Sequence, residues 1–267
     1  ENSPRGVYTG AIGFISPGPE CRFSVAIRTV VLDTGDGAAE FGVGGGITWD
    51  SSAAAEYEEC LVKARLLHER RGRFDLFETL LHEPGQGYFL VERHLERLGQ
   101  SAAYFGLPFD AAEAAARLRA EAGVLTGRAA VSRLLLAADG SLQVEHRPPL
   151  QPPDRPWRAA LCPRPVDSTD ALLFHKTTAR SRYEERLAAR PDCDEVILVN
   201  ERGEVTECCI GNLVAVLDGS HWTPPVHCGL LPGTYRAELL ATGVLRERVL
   251  TGGDLRKAEA LYLINAV

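Results

Sequence analysis

The sequence predicts an α+β protein in two parts, and three patterns carry that expectation. Strand-like and helix-like runs alternate along the chain, a basic break at Arg70-Arg71-Gly72-Arg73 restarts the pattern, and a proline-rich stretch over 148–156 divides the remainder of the chain. The boundaries are 1–70, 73–150 and 157–267. At one domain per ~100–200 residues, a length of 267 suits one large or two smaller domains.

In the first part, residues 7–15 and 23–32 read as strands, with turns at 16–20 and 33–37. A glycine-rich run over 41–47 leads to Asp50-Ser51, a helix N-cap pair. The helix over about 53–71 is expected to be amphipathic, with Tyr57, Leu61, Ala64 and Leu67–His68 near one face. After the basic break come strands at 74–81 and 87–92, helices at about 93–103 and 110–123, and a hairpin over 129–148 around Asp139-Gly140. The stretch 148–156 reads as a stiff, extended linker. Beyond it lie strands at 157–163, 195–200, 212–218, 246–250 and 260–265, a helix through about 178–190, and a helix opening at Thr234.

Composition excludes several classes. A net charge of -7 argues against a nucleic-acid-binding surface. No apolar run approaches the ~20 residues of a membrane-spanning helix. Seven cysteines with no CxxC pair and no His/Cys cluster at zinc spacing read as reduced thiols of a cytoplasmic protein. The chain contains no methionine, starts at Glu1 and stops within an apolar run, so a fragment of a longer polypeptide is expected.

Only Lys176 and Lys257 follow Lys63 in a chain that otherwise uses arginine. Lys257 sits in a charged helical context and reads as a surface residue. Lys176 follows an apolar run, at what reads as a strand end, and a lysine kept there suggests chemistry that arginine cannot do. Read alone it could equally be a surface lysine. Glu207 falls inside an apolar strand, where a carboxylate is costly unless paired. Gly233-Thr234 opens a helix, a ready anion site.

The segments FETL, HLERL, HKTTARSRY, VTECCIGNLVAV and LLPGTYR resemble the fold-type IV pyridoxal-phosphate (PLP) enzymes, over nearly all of 73–267. That group includes branched-chain and D-amino-acid aminotransferases and aminodeoxychorismate lyase. The resemblance implies two α+β subdomains and a homodimer. It makes Lys176 the Schiff-base lysine and general base, and Glu207 the partner of the pyridine nitrogen. Arg97 contacts phosphate, and Ile210, Gly211, Gly233 and Thr234 complete the cradle, with Tyr235 where aminotransferases often carry threonine. The VTECC run favours the lyase.

A second resemblance covers about 1–68. PRGVYTGAIG, AIRT, GVGGGI and DSSAAAEYEECLVKA resemble the C-terminal segment of chorismate-utilising α/β enzymes, the aminodeoxychorismate and anthranilate synthases above all. Arg28 can hold a carboxylate through two hydrogen bonds, and Gly44, Gly45 and Gly46 let backbone amides approach a ligand. Glu56, Glu59 and Lys63 share a helix face, which taken alone reads as a salt-bridged surface. The resemblance implies substrate contacts at Tyr8, Arg28, Thr29, Gly44–Gly46 and Lys63, Mg2+ at Glu59 and Glu56, and a glutamine amidotransferase subunit as partner. The segment is only part of such a domain, so amination of chorismate is not expected from this chain alone.

The order of the two parts resembles fused synthase–lyase proteins. The expected activity is therefore conversion of 4-amino-4-deoxychorismate to p-aminobenzoate and pyruvate, for folate synthesis. A D- or branched-chain amino-acid aminotransferase and a cofactor-free scaffold remain as alternatives.

Overall fold

The computed structural model describes residues 4–18, 20–68, 74–125, 127–150 and 154–267. The chain separates into two compact units, Glu1–Gly72 and Arg73–Val267. The expected basic break over 70–73, the helix residues past His68, and residues 151–153 of the expected linker lie outside the described residues.

In the first unit, β1 (Ala11–Ile15) and β2 (Cys21–Val25) pair antiparallel, as do β3 (Val30–Leu32) and β4 (Ala39–Phe41). The single strand expected over 23–32 is interrupted. Ala26 returns to the first hairpin through Thr9 N–H donating to its carbonyl and its own N–H donating to Gly10 O, both at 2.8 Å. Arg28 then takes a left-handed φ of 51°, which turns the chain before β3.

Helix α1 (Ala53–His68) starts one residue later than the expected cap pair. Ser52 Oγ accepts from Ala55 N–H, while the Ser51 hydroxyl donates to Glu56. Its apolar side chains are not covered: Tyr57 is 67% exposed, Leu61 43% and Leu67 50%. Phe14, Phe23 and Trp49 are exposed as well, and Ala26 is the only buried apolar residue among those described in this unit. Among the described residues of this unit, two separate two-stranded ribbons form no sheet broad enough to bury a helix face.

The second unit has a small lobe and a large one. In the small lobe β5 (Leu76–Glu83) lies between β6 (Gly87–Tyr88) and β7 (Ala130–Leu136), with β8 (Leu142–Arg147) outside β7. Helices α2 (Val91–Phe105) and α3 (Ala111–Val124) cover one face. The strand expected over 87–92 is cut short, because Leu90 adopts a left-handed φ of 52° and Val91 already begins α2. Period-two alternation then sorts the sheet. Leu76, Leu80, Leu134 and Leu136 meet Leu98, Ala102 and Leu118, while Phe77, Thr79 and Arg133 face the opposite side. The hairpin turns at Asp139-Gly140 as expected, with Gly140 at φ 88°.

In the large lobe β9 (Ala159–Leu161) runs parallel to β10 (Glu195–Val199), and β11 (Val205–Cys208) returns antiparallel. Helix α4 (Ser181–Ala188) packs on β10. A second sheet has the order β14 (Arg246–Glu247), β13 (Ser220–Thr223), β12 (Asn212–Leu217), β15 (Ala260–Ile264). Strand β13 and helix α6 (Gly252–Lys257) are absent from the sequence reading, both being short and polar. Helix α5 (Thr234–Ala241) begins at the expected residue. No helix among the described residues is long and apolar enough to cross a membrane, and all seven cysteines are free.

Candidate active site

Lys176 does not end a strand. It follows a 3-10 turn over Ala171–Leu173, in a loop fastened to β5. Phe77 N–H donates to Lys176 O (3.0 Å), Thr178 N–H donates to Asp75 O (2.9 Å), and Asp75 N–H donates to Thr178 Oγ1 (2.9 Å). These bonds place Nζ 4.8 Å from the centre of the Phe77 ring. Burial lowers the amine to about 8, helped by the positive charge of Arg97 and opposed by Glu78. A substantial uncharged fraction near neutral pH is what a nucleophilic lysine needs.

Glu207 lies on β11 and is 4% exposed. Burial raises its carboxyl to about 7, held back by the Tyr183 hydroxyl donating to Oε1 (2.8 Å) and Leu231 N–H donating to Oε2 (3.2 Å). Lys176 and Glu207 line one cavity of about 390 Å3, within the ~300–1,000 Å3 usual for small-molecule sites.

The same cavity receives the start of α5 and the turn between β11 and β12. Gly233 occupies the N-cap with no side-chain cap, leaving the first N–H groups of α5 available to an anion. A Cβ on Gly233 would stand 2.0 Å from Asn212 Oδ1, and one on Gly211 would stand 2.6 Å from Ile264 O. Both positions therefore require glycine. Ile210, Thr234 and Tyr235 line the cavity too, and the Tyr235 ring packs edge-on against Phe89 at 5.8 Å. Arg97 borders the cavity with its guanidinium engaged by Glu78 and by Pro232 O.

Glu78, His94, Tyr183 and Asn212 join the site without standing out in the sequence. Glu78 carried a usable signal, a carboxylate inside an apolar strand, as Glu207 did. Arg133 and Arg180 also line the cavity, so it presents cations to a ligand although the chain is acidic.

In the first unit, a smaller recess of about 90 Å3 collects Tyr8, Arg28, Gly44 and Lys63. The Tyr8 hydroxyl would meet a Cβ on Gly44 at 2.9 Å, and Lys63 Nζ donates to Gly44 O at 2.8 Å. Gly45 lies against Glu56, and the Glu59 carboxylate ion-pairs with Lys63 at 2.5 Å, holding that ammonium above its ordinary range. Two expected residues stand apart: the Thr29 hydroxyl donates to Ile27 O, and Gly46 is exposed with no neighbour within 4 Å of a Cβ. Among the described residues no three His, Cys, Asp or Glu side chains converge as metal ligands. Of the two carboxylates expected to hold magnesium, Glu59 is paired with Lys63 and Glu56 accepts from the Ser51 hydroxyl.

Residues 75–267 match the family described as amino-transferase class IV. The chain belongs to that family. A Schizosaccharomyces pombe relative, provisionally named an aminodeoxychorismate lyase, is 30% identical over 202 residues, covering 72% of this chain and 85% of its own length. Among solved structures, a Mesorhizobium loti protein provisionally named an amino-acid aminotransferase is 37% identical with TM-score 0.67, over 73% of this chain and 95% of that one. The PLP-bound form of a hypothetical aminotransferase from Mycobacterium tuberculosis is 25% identical with TM-score 0.62, over 86% and 85%. Residues 1–69 match chorismate binding enzymes. There the aminodeoxychorismate synthase of Streptomyces griseus is 48% identical over 64 residues, 24% of this chain but 9% of that protein. A Haemophilus influenzae relative is 35% identical over 104 residues, and the match spans 54% of its length.

The class IV family implies PLP, and the residues fit it. A buried amine of lowered basicity, a buried acid, and a cradle too tight for any side chain at Gly211 or Gly233 share one cavity.

Proposed function

We propose that the class IV part of this chain is a PLP-dependent lyase that converts 4-amino-4-deoxychorismate to p-aminobenzoate and pyruvate. The observation that carries the substrate choice is order: a chorismate-type segment directly precedes a class IV site. The relative from S. pombe, aligned over 85% of its length, supports the same reading.

Bound PLP supplies an electron sink for the bond-breaking step. Lys176 Nζ would hold the cofactor and, once released, would accept the proton from the ring carbon beside the substrate amine. Glu207 would sit opposite the pyridine nitrogen and keep it protonated, and that cationic partner would offset the cost of its own burial. Thr234, the amides at the start of α5, the Ile210–Gly211 turn and Arg97 would hold the phosphate. Loss of pyruvate leaves an aromatic ring, which drives the reaction forward. The free cysteines suit a cytoplasmic setting.

The chorismate-type unit joins this activity to a fused synthase–lyase, with Tyr8, Arg28, Gly44, Gly45 and Lys63 on the substrate side. Magnesium held by Glu56 and Glu59, with water and a substrate carboxylate filling its remaining positions, is part of that reading. A homodimer and a glutamine amidotransferase subunit belong to the same reading.

Purified protein loaded with PLP is expected to release pyruvate from 4-amino-4-deoxychorismate. The 37% identity to the M. loti protein favours a second reading, an amino-acid aminotransferase. Lasting conversion of the cofactor to pyridoxamine phosphate on adding an amino acid, with no pyruvate from aminodeoxychorismate, would select it.

A further inference from the structure

On its phosphate side the cavity is backed by a buried chain of four side chains from three elements. Glu78 on β5 is 1% exposed and accepts from Arg97 Nε (2.8 Å) and Nη2 (2.5 Å) on α2. The other partner of Glu78 Oε2 is His94 Nδ1, at 2.7 Å. The opposite ring nitrogen, His94 Nε2, lies 3.2 Å from Thr234 Oγ1 at the start of α5.

The donor inventory fixes the directions. Burial alone would raise Glu78, yet the Arg97 charge and the bonds from His94 and Arg97 bring it down to about 2, so it is ionised and only accepts. His94 Nδ1 must therefore carry a proton. In a neutral ring Nε2 is then a bare acceptor, and the Thr234 hydroxyl spends its one proton on it. The lone pairs of Oγ1 are left toward the cavity, the wrong polarity for a phosphate. Turning the hydroxyl toward the phosphate instead would set Nε2 and Oγ1 lone pair to lone pair inside a buried site.

We propose that His94 is a positioning residue for the cofactor phosphate: it takes a proton from solvent onto Nε2 as the phosphate arrives, donates it to Thr234 Oγ1, and thereby frees the Thr234 hydroxyl to donate to the phosphate. The inference rests on the PLP reading of the cavity. Burial, with the charges of Arg97 and Lys176, holds the His94 ring below its ordinary range, so it is neutral before the anion arrives. Glu78 from β5, Arg97 from α2, Lys176 from its loop and the Thr234 hydroxyl from α5 are the groups that face it. With His94 neutral, Glu78 and Arg97 cancel. Protonation gives the cluster one net positive charge opposite a dianion.

The test is calorimetric titration with PLP and, separately, with pyridoxal, which lacks the phosphate, in buffers of different ionisation enthalpy. At about pH 8 the phosphate is already a dianion. The difference between the two ligands then isolates the proton that His94 acquires, expected to be about one more taken up with PLP. His94→Gln and Thr234→Ala should each abolish that difference while still binding pyridoxal. Equal uptake with both ligands in the unaltered protein, or a difference that survives in His94→Gln, overturns the proposal. If a variant fails to bind pyridoxal, the 15N resonances of His94 in the unaltered protein decide. An imidazolium pattern with PLP but a neutral one with pyridoxal supports the relay, and a neutral pattern with both refutes it. Failure of PLP to bind at all is a separate result, which removes the cofactor reading and the relay together.

Discussion

The Tyr183 hydroxyl donates to Glu207 Oε1 across 2.8 Å, linking α4 to the acid on β11 beneath the cavity. Glu207 is raised to about 7 chiefly by burial, so before PLP binds the folded protein retains a proton that the unfolded chain releases near 4.5. Stability should consequently fall as pH rises from about 4.5 to 7, by on the order of 3 kcal/mol. In Glu207→Gln the amide can accept from Leu231 N–H and donate to Tyr183. Urea unfolding without PLP should show this decline removed, while lyase activity drops on the order of 100-fold. An unchanged pH slope would contradict the assignment.

Lys176 titrates near 8 because it is buried beside Arg97. Covalent capture of PLP requires the neutral amine, so its rate should climb with pH through about 8 and level above it. Stopped-flow absorbance would follow this directly. The stability consequence has the same sense: the unfolded amine keeps its proton to about 10.5, so the fold gains stability as pH rises from 8 toward that value. Lys176→Ala should lose the absorbance band, the activity and this gain.

Acid should act through Glu78. Its carboxyl titrates near 2 in the fold against an ordinary 4.5, so the stability it contributes is complete above 4.5 and is lost as pH falls toward 2. The loss is on the order of 3 kcal/mol. Glu78→Gln removes one partner of a buried ion pair with Arg97, at a cost of ~3–5 kcal/mol near neutrality. The variant should approach the unaltered protein in stability as the medium is acidified, as denaturant titrations over pH 3–7 would show.

Gly233→Ala is expected to lower stability by ~1–3 kcal/mol and weaken PLP binding, since its Cβ meets Asn212 Oδ1. Adding Asn212→Ala should recover part of the loss. Gly211→Ala meets backbone at Ile264 and has no such remedy. A thermodynamic cycle over positions 212 and 233 separates the two cases.

Legibility in the sequence followed distance along the chain. Glu207 declared itself because a lone carboxylate in VTECC breaks an apolar strand, and Lys176 because lysine is so scarce. Their electrostatic settings were invisible: Tyr183 is 24 residues from Glu207, and His94 is 140 residues from Thr234. Periodicity found β5, β7 and α2, whose alternation is decided by burial. It misjudged α1, whose apolar stripe is exposed among the described residues, and it carried the strand into α2 at Leu90, where a left-handed residue ends it without glycine. Resemblance pointed to Arg97 as an expected phosphate contact, but not to the carboxylate that grips it.

The loop bearing Lys176 is stitched by backbone to β5, about a hundred residues earlier in the chain. A newly made polypeptide can present that amine to an aldehyde in the right surroundings only once both lobes have met. Correct chemistry at that position therefore reports on long-range assembly of the fold, and not on local folding of the loop alone.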